Sequence, residues 1–243
     1  MTKLFNFLRA ILYYTAFYVA TVIHSSLCML IARGMPFERR FRFVTRLNFL
    51  YVFLIRWCCG IKVIVEGYEN LPTQGAYVVV ANHQSEWETI FFQTLIRPHS
   101  IVLKQELLKI PFFGWALAML EPIALDRSQK RGALKALLGQ GKDRLERGVP
   151  VIIFPQGTRL ATGEMGVFNK GGAMLAVSNQ VSLIPMAHNA GIFWPGKTLL
   201  KKPGTITLRI GVPIATTELG VSEVHEESVT WIKAQMCELN KLS

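Results

Sequence analysis

The sequence predicts an α/β fold: a largely parallel sheet of about seven strands with helices on both faces, preceded by an N-terminal two-helix membrane-binding element. Three observations carry that expectation. From residue 61 onward, short apolar runs alternate with longer segments of helical periodicity. Residues 10–32 contain no Lys, Arg, Asp or Glu. Residues 37–57 interleave five arginines with aromatic and aliphatic side chains.

The composition points the same way. A chain of 243 residues is long enough for one substantial core and short for two. Apolar residues make up 51% and the mean hydropathy is +0.30, high for a soluble domain of this size. Lys and Arg outnumber Asp and Glu by 27 to 16, which suggests an anionic partner. High positive charge combined with high apolar content favours a membrane surface over nucleic acid. The four cysteines lack zinc-ligand spacing, and Cys58 and Cys59 are adjacent, so a reducing compartment is the simplest expectation.

The N-terminal apolar run AILYYTAFYVATVIHSSLCMLIA would be about 35 Å long as a helix, enough to cross a bilayer core. His24-Ser25-Ser26 interrupts it, and it is too long for the apolar region of a signal peptide. The segment FERRFRFVTRLNFLYVFLIRW that follows suits a basic amphipathic helix on a lipid surface. The bland alternative makes both segments core helices. Arginines cluster after the first helix, so the bulk of the chain is expected on the cytoplasmic side. A composition break near residue 60 separates this arm, residues 1–59, from a domain spanning 60–243.

Within the domain, strands are expected at IKVIVEG (61–67), AYVVVAN (76–82), SIVLK (100–104), EPIALDR (121–127), VPVIIFP (149–155), VSLIPMA (181–187) and TITLRIG (205–211). Helices are expected at 86–96, about 111–120, 129–147, 170–179 and 223–240. Pro185 lacks an N–H for a ladder, so its strand should lie at an edge or carry a bulge.

Two stretches could carry chemistry. NHQSEWET, residues 82–89, puts an imidazole and carboxylates directly after a buried strand. If a helix begins near Ser85, Glu88 can reach back to His83 and leave it a general base. Ser85 and Glu88 are equally spaced as a helix capping box, and the residues alone leave both readings open. The second stretch, FPQGTR, residues 154–159, follows another strand, with Lys170 further on. Gly157 permits close backbone approach, Thr158 offers a hydroxyl, and Arg159 and Lys170 supply cations at the carboxyl edge of the sheet. An anionic substrate or a solvated turn would satisfy these residues alike. Lys104 and Asp126-Arg127 also end strands, as charged turns often do.

In order and spacing, NHQSEWE, IALDR, FPQGTR and LIPMA resemble the four motifs of the glycerolipid acyltransferases, the lysophosphatidic acid acyltransferases in particular. The resemblance covers roughly residues 62–212. It implies acyl transfer from an acyl-carrier protein or coenzyme A thioester to the sn-2 hydroxyl of lysophosphatidic acid, with no bound cofactor or metal. It implies His83 and Glu88 as the catalytic pair and Lys104, Arg127, Gln156, Gly157, Thr158, Arg159 and Lys170 as substrate-binding residues. It also implies a membrane-docked N-terminal arm, at the cytoplasmic face of a bacterial inner membrane. Two positions depart from the family pattern: Glu88 replaces its aspartate, and Gln156 replaces the glutamate of its third motif. Glutamine cannot take a proton, so Gln156 is no acid–base group, though it could position a substrate hydroxyl.

The same residues admit four rival readings. A metal hydrolase lacks His-Glu-x-x-His spacing, and a serine acyl-enzyme lacks a Gly-x-Ser-x-Gly turn. A non-catalytic lipid-binding protein is favoured by Gln156 and opposed by the intact His83-Glu88 pair. Nucleic-acid binding fits the arginines less well than lipid does.

Overall fold

The computed structural model describes residues 2–126, 128–196 and 198–241. The arm comprises α1 (Thr2–Ile31), α2 (Phe37–Val44) and α3 (Arg46–Cys59). The domain then runs β1 (Ile61–Glu66), β2 (Val78–Ala81), α4 (Trp87–Leu95), β3 (Ser100–Lys104), α5 (Phe113–Ala118), β4 (Ile123–Leu125), α6 (Lys130–Glu146) and β5 (Val151–Ile153). It closes with α7 (Gly171–Ser178), β6 (Leu183–His188), α8 (Ala190–Phe193), β7 (Gly204–Ile210) and α9 (Val221–Lys241). The seven strands form one sheet in the order β1-β7-β6-β2-β5-β3-β4. Every neighbouring pair is parallel except β6 with β7.

The central strands are apolar on both sides because both sides are covered. Val79 and Ala81 face a core shared with α1–α5, whereas Val78 and Val80 face α6, α7 and α9. Successive side chains point to opposite faces, so one short run VVVA supplies two cores.

The arm is not a separate packing unit. Tyr13, Cys28, Phe41 and Ile55 lie in the same buried cluster as Val79, Trp87 and Ile206 of the domain. On α1 the buried residues Ala10, Tyr13, Thr21, Ser25 and Cys28 recur at helical spacing, while Leu8, Ile11, Leu12, Val19, Ile23 and Leu30 are exposed. The helix therefore has two apolar faces, one against the domain and one open. His24-Ser25-Ser26 does not interrupt it. His24 Nε2 donates to the last carbonyls of α2, on Phe43 and Val44, and Ser26 Oγ bonds back to Val22 O. Arg9 donates to the carbonyls of Cys58 and Trp57, capping the negative end of α3.

The second arm helix is broken where one continuous amphipathic helix was expected. Thr45 ends α2 and begins α3, with its hydroxyl bonded back to Phe41 O at 2.7 Å. Gly60, at φ +69°, then stops α3 in a left-handed cap.

Pro185 lies in an interior strand, not at an edge, and the sheet accommodates it by an irregularity opposite. The β6–β7 ladder begins at Met186↔Ile210, and a separate bridge joins Leu183 to Ile214. Pro185 falls between the two, where its missing N–H breaks no ladder bond and its carbonyl accepts Gly211 N–H at 2.8 Å.

Candidate active site

Strands β2, β3, β5 and β6 run parallel, so their carboxyl ends meet at one edge, where open α/β sheets hold their ligands. From the end of β2 the chain turns through Asn82, His83, Gln84 and Ser85 into α4. Glu88 sits in the first turn of that helix and folds back under the loop. Its Oε1 accepts three bonds: from His83 Nδ1 at 2.7 Å, Gln84 N at 2.8 Å and Ser85 N at 2.9 Å. Half of the capping box therefore forms, since Glu88 returns to the Ser85 N–H. The other half does not: Ser85 Oγ accepts from Trp87 N–H instead. One carboxylate oxygen both closes the helix and orients the imidazole.

Glu88 is wholly buried. Burial pushes its carboxyl up, but the neighbouring His188 and His83 rings and the Ser85 N–H push it down further, to about 2. The glutamate is thus an anion at neutral pH. Its partner ring keeps the proton on Nδ1, leaving Nε2 as the acceptor. His83 stacks on Phe154, centroids 4.4 Å apart, which fixes the ring plane.

Behind this pair stands a clamp that sequence reasoning did not find. Asn82 Nδ2 donates to His188 O and its Oδ1 accepts His188 N–H, both at 2.9 Å. His188 Nε2 donates to Asn82 O at 2.9 Å, and its Nδ1 accepts Ala190 N–H. These bonds lock the carboxyl ends of β2 and β6 together beneath the His83 turn. Burial holds the His188 ring below its usual pKa, against the pull of Glu88.

His83 opens on a cleft of about 1000 Å³. Its inner wall is apolar, built from Phe17 and Val22 of α1, Leu47 of α3, Ile90 of α4 and Ala116 and Leu117 of α5. Its polar mouth is built from Glu86, Lys104, Thr158 and Arg159. Arg159 Nη1 donates to Glu86 Oε1 at 2.7 Å, and Trp194 Nε1 holds the other Glu86 oxygen at 3.0 Å. Lys104 pairs with Glu106 at 3.1 Å.

Three expected binding residues are positioned differently from their sequence-derived roles. Gln156 is buried, with Oε1 accepting His83 N–H at 2.7 Å and Nε2 donating to Met165 O at 2.8 Å. It braces the His83 turn from β5 and does not line the cleft. Gly157 adopts φ +71°, as a left-handed turn requires, and its N–H donates to Phe154 O at 3.1 Å; it is not part of the cleft wall. Lys170 bonds Ser222 Oγ at the foot of α9, on the far side of the sheet from the arm, and is not part of the cleft wall. Arg127 lies outside the described residues. No group of three or more potential metal ligands occurs among the described residues.

A histidine–carboxylate pair at the carboxyl edge of an α/β sheet, beside an apolar cleft whose mouth carries Glu86, Lys104 and Arg159, suits an enzyme that acts on an amphiphile. A family model described as Acyltransferase matches residues 62–189. The chain is 41% identical over 240 residues to 1-acyl-sn-glycerol-3-phosphate acyltransferase from Pseudomonas aeruginosa, covering 97% of this chain and 93% of that protein. It is 30% identical to the enzyme of that name from Saccharomyces cerevisiae, over 84% of this chain and 67% of that protein. The crystal structure of the 1-acyl-sn-glycerophosphate acyltransferase PlsC from Thermotoga maritima superposes with a TM-score of 0.82 at 25% identity, covering 98% of both chains. The chain belongs to the acyltransferase family.

Proposed function

We propose that the protein is a 1-acyl-sn-glycerol-3-phosphate acyltransferase, moving a fatty acyl group from a thioester to lysophosphatidic acid. The observation that carries this is His83, held by an ionised, buried Glu88, at the junction of an apolar cleft and a polar mouth that carries Lys104 and Arg159. His83 Nε2 takes the proton of the sn-2 hydroxyl as its oxygen attacks the thioester carbonyl. The C–O bond forms, the tetrahedral adduct collapses and the C–S bond breaks. The imidazolium, steadied by Glu88, returns the proton to the leaving thiolate. Arg159 takes the substrate phosphate by exchanging its Glu86 partner. That exchange is inexpensive, because the two side chains are 38% and 37% exposed and such pairs contribute about 0–1 kcal/mol.

The open apolar face of α1 continues onto α3 through Phe49, Leu50, Phe53 and Trp57. We read this face as docked in one leaflet of the cytoplasmic side of a bacterial inner membrane. The burial of Ala10, Tyr13, Thr21, Ser25 and Cys28 against the protein supports docking over spanning, although Phe7–Ile31 is long and apolar enough to cross a bilayer. The cleft lies between this arm and the sheet, so an acyl chain can pass into it directly from lipid.

The test is purified protein with lysophosphatidic acid and either acyl-coenzyme A or acyl-carrier protein, with phosphatidic acid read by mass spectrometry. Product should form with at least one donor, should persist with a chelator present, and should form about 10²–10⁴-fold more slowly in His83→Ala. No product with either donor would return the protein to a lipid-binding role. Gln156, the residue that favoured that role, is accounted for by its bonds to His83 and Met165.

A further inference from the structure

A second hollow, of about 600 Å³, lies at the α2–α3 junction and shares no lining residue with the catalytic cleft. It is lined by Arg39, Arg42, Arg46, Arg97, Phe43 and Phe49. Among the described residues, Arg39, Arg42 and Arg46 have no acidic partner within ion-pair distance, whereas Arg40, turned the other way, pairs with Glu121. Arg97 reaches in from the turn after α4. Its Nη2 donates to Arg42 O at 2.8 Å and Thr45 Oγ1 at 3.0 Å, and its guanidinium lies 4.9 Å over the Phe49 ring. Its Nε is buried without a hydrogen-bond partner. Burial and the neighbouring Arg42 both push Arg97 below its usual pKa, as expected when like charges crowd without a counterion.

Four guanidiniums around one hollow with no carboxylate make an incomplete electrostatic unit. Guanidinium matches phosphate oxygens in paired geometry. The exposed apolar residues of α3, from Phe49 to Trp57, start at the rim of the hollow. An occupant must therefore be an anion that sits at the edge of an apolar medium.

We propose that Arg39, Arg42, Arg46 and Arg97 form a headgroup site for an anionic membrane phospholipid, distinct from the catalytic cleft, that sets which leaflet lipids the docked enzyme prefers. This rests on the membrane-docked reading above. The occupant is the lipid and not free phosphate, because the aromatic rim at Phe43 and Phe49 matches acyl chains continuing away from the headgroup.

The experiment is flotation of the full-length protein with phosphatidylcholine vesicles, with and without phosphatidylglycerol. Wild type should bind the anionic vesicles more tightly. The triple variant Arg39→Gln, Arg42→Gln, Arg46→Gln should lose about ten- to a hundredfold in affinity for them, given the attraction of each basic residue to an anionic surface, while still floating with phosphatidylcholine. Arg97 is left intact because it bonds to the fold. A control with equal charge removed on the far face, Lys135→Gln, Lys142→Gln, Lys241→Gln, should bind like wild type. Equal losses in both triples, or equal wild-type affinity for both vesicles, would overturn the site but leave membrane docking standing. Wild type that floats with neither vesicle would overturn both. Displacement by inorganic phosphate beyond that caused by chloride at matched ionic strength would overturn the lipid assignment. A thermal melt of each variant guards against loss of fold: a triple variant that melts with wild type and still loses affinity supports the site, and one that melts early while keeping wild-type affinity overturns it.

Discussion

Glu88 Oε1 accepts the Nδ1–H of His83 at 2.7 Å while the same oxygen caps the first turn of α4 through Ser85 N–H at 2.9 Å. Capping and the proposed base chemistry therefore rest on one atom, and they separate by substitution. Glu88→Gln should keep an acceptor for the backbone donors but lose the charge that supports an imidazolium. Turnover should fall by orders of magnitude. His83→Ala should lose the roughly 10²–10⁴-fold that a positioned base contributes. Ser85→Ala removes only the acceptor for Trp87 N–H, so it should lower stability by about 1 kcal/mol with turnover within a few-fold of wild type. Near-normal turnover in both Glu88→Gln and His83→Ala would reduce the stretch to helix capping. Steady-state kinetics beside thermal melts make the separation.

Gln156 offers a sharper contrast. Restoring the family's glutamate, Gln156→Glu, would set a carboxylate oxygen against Met165 O in a buried site, where the amide now donates at 2.8 Å. The variant should be less stable by about 1–3 kcal/mol and gain no activity. Gln156→Ala should instead leave His83 N–H unpaired and loosen the base, lowering kcat more than it raises KM. A faster Gln156→Glu enzyme would mean that position 156 meets substrate after all.

The sheet was legible because both its faces are covered: each expected strand overlaps an observed one, and VVVA at β2 needed no alternation to declare itself. The His83–Glu88 pair was legible because both partners lie within one turn of chain. The Asn82–His188 clamp was not, since its partners are 106 positions apart and meet only when β2 and β6 pair. The break at Thr45 was hidden for a related reason, because apolar and basic periodicity runs straight through a threonine that bonds back to Phe41 O. Lys170 misled because it follows the same loop as Arg159 in sequence but turns towards α9.

Arg159→Lys keeps the charge and loses the paired geometry. Apparent affinity for lysophosphatidic acid or the acyl donor should weaken about tenfold to a hundredfold, from the roughly 1.5–3 kcal/mol of a charge-assisted bond. Stability should barely move, because the Arg159–Glu86 pair is more than a third exposed. A large drop in Tm with unchanged KM would make the arginine structural.

For the arm, the shared core changes what deletion can report. Removing residues 1–59 strips Tyr13, Phe41 and Ile55 from a cluster that includes Trp87 and Ile206, so insoluble protein is the expected product. Substitutions on the open face are cleaner. Phe53→Glu with Trp57→Glu should shift protein from sedimenting membranes to the supernatant with little change in Tm, since both side chains are exposed. High salt should not extract the intact chain, because apolar burial persists when charges are screened. Clean extraction by salt alone would sink the apolar-docking reading.

Acid should destabilise the fold in two separable windows. His99 is buried, with Nδ1–H donating to Ile96 O, and burial holds its pKa at about 4. The unfolded chain takes that proton near 6.5, so the unfolded state binds more protons between the two values. Stability should fall as pH drops from about 6.5 to 4, by roughly 3 kcal/mol for this ring alone, and His188 adds in the same direction. Glu88 acts lower down. Its folded pKa of about 2 lies below the ordinary 4.5, so its contribution is complete above 4.5 and is lost as pH falls towards 2. His99→Gln should shrink the upper window to the part that His188 contributes and leave the lower one, while Glu88→Gln should remove the lower window. Melting curves in detergent across pH 7 to 3 read both slopes. A wild-type Tm that is level from pH 7 to 4 would mean that His99 is solvated and charged, against its burial beside Phe41.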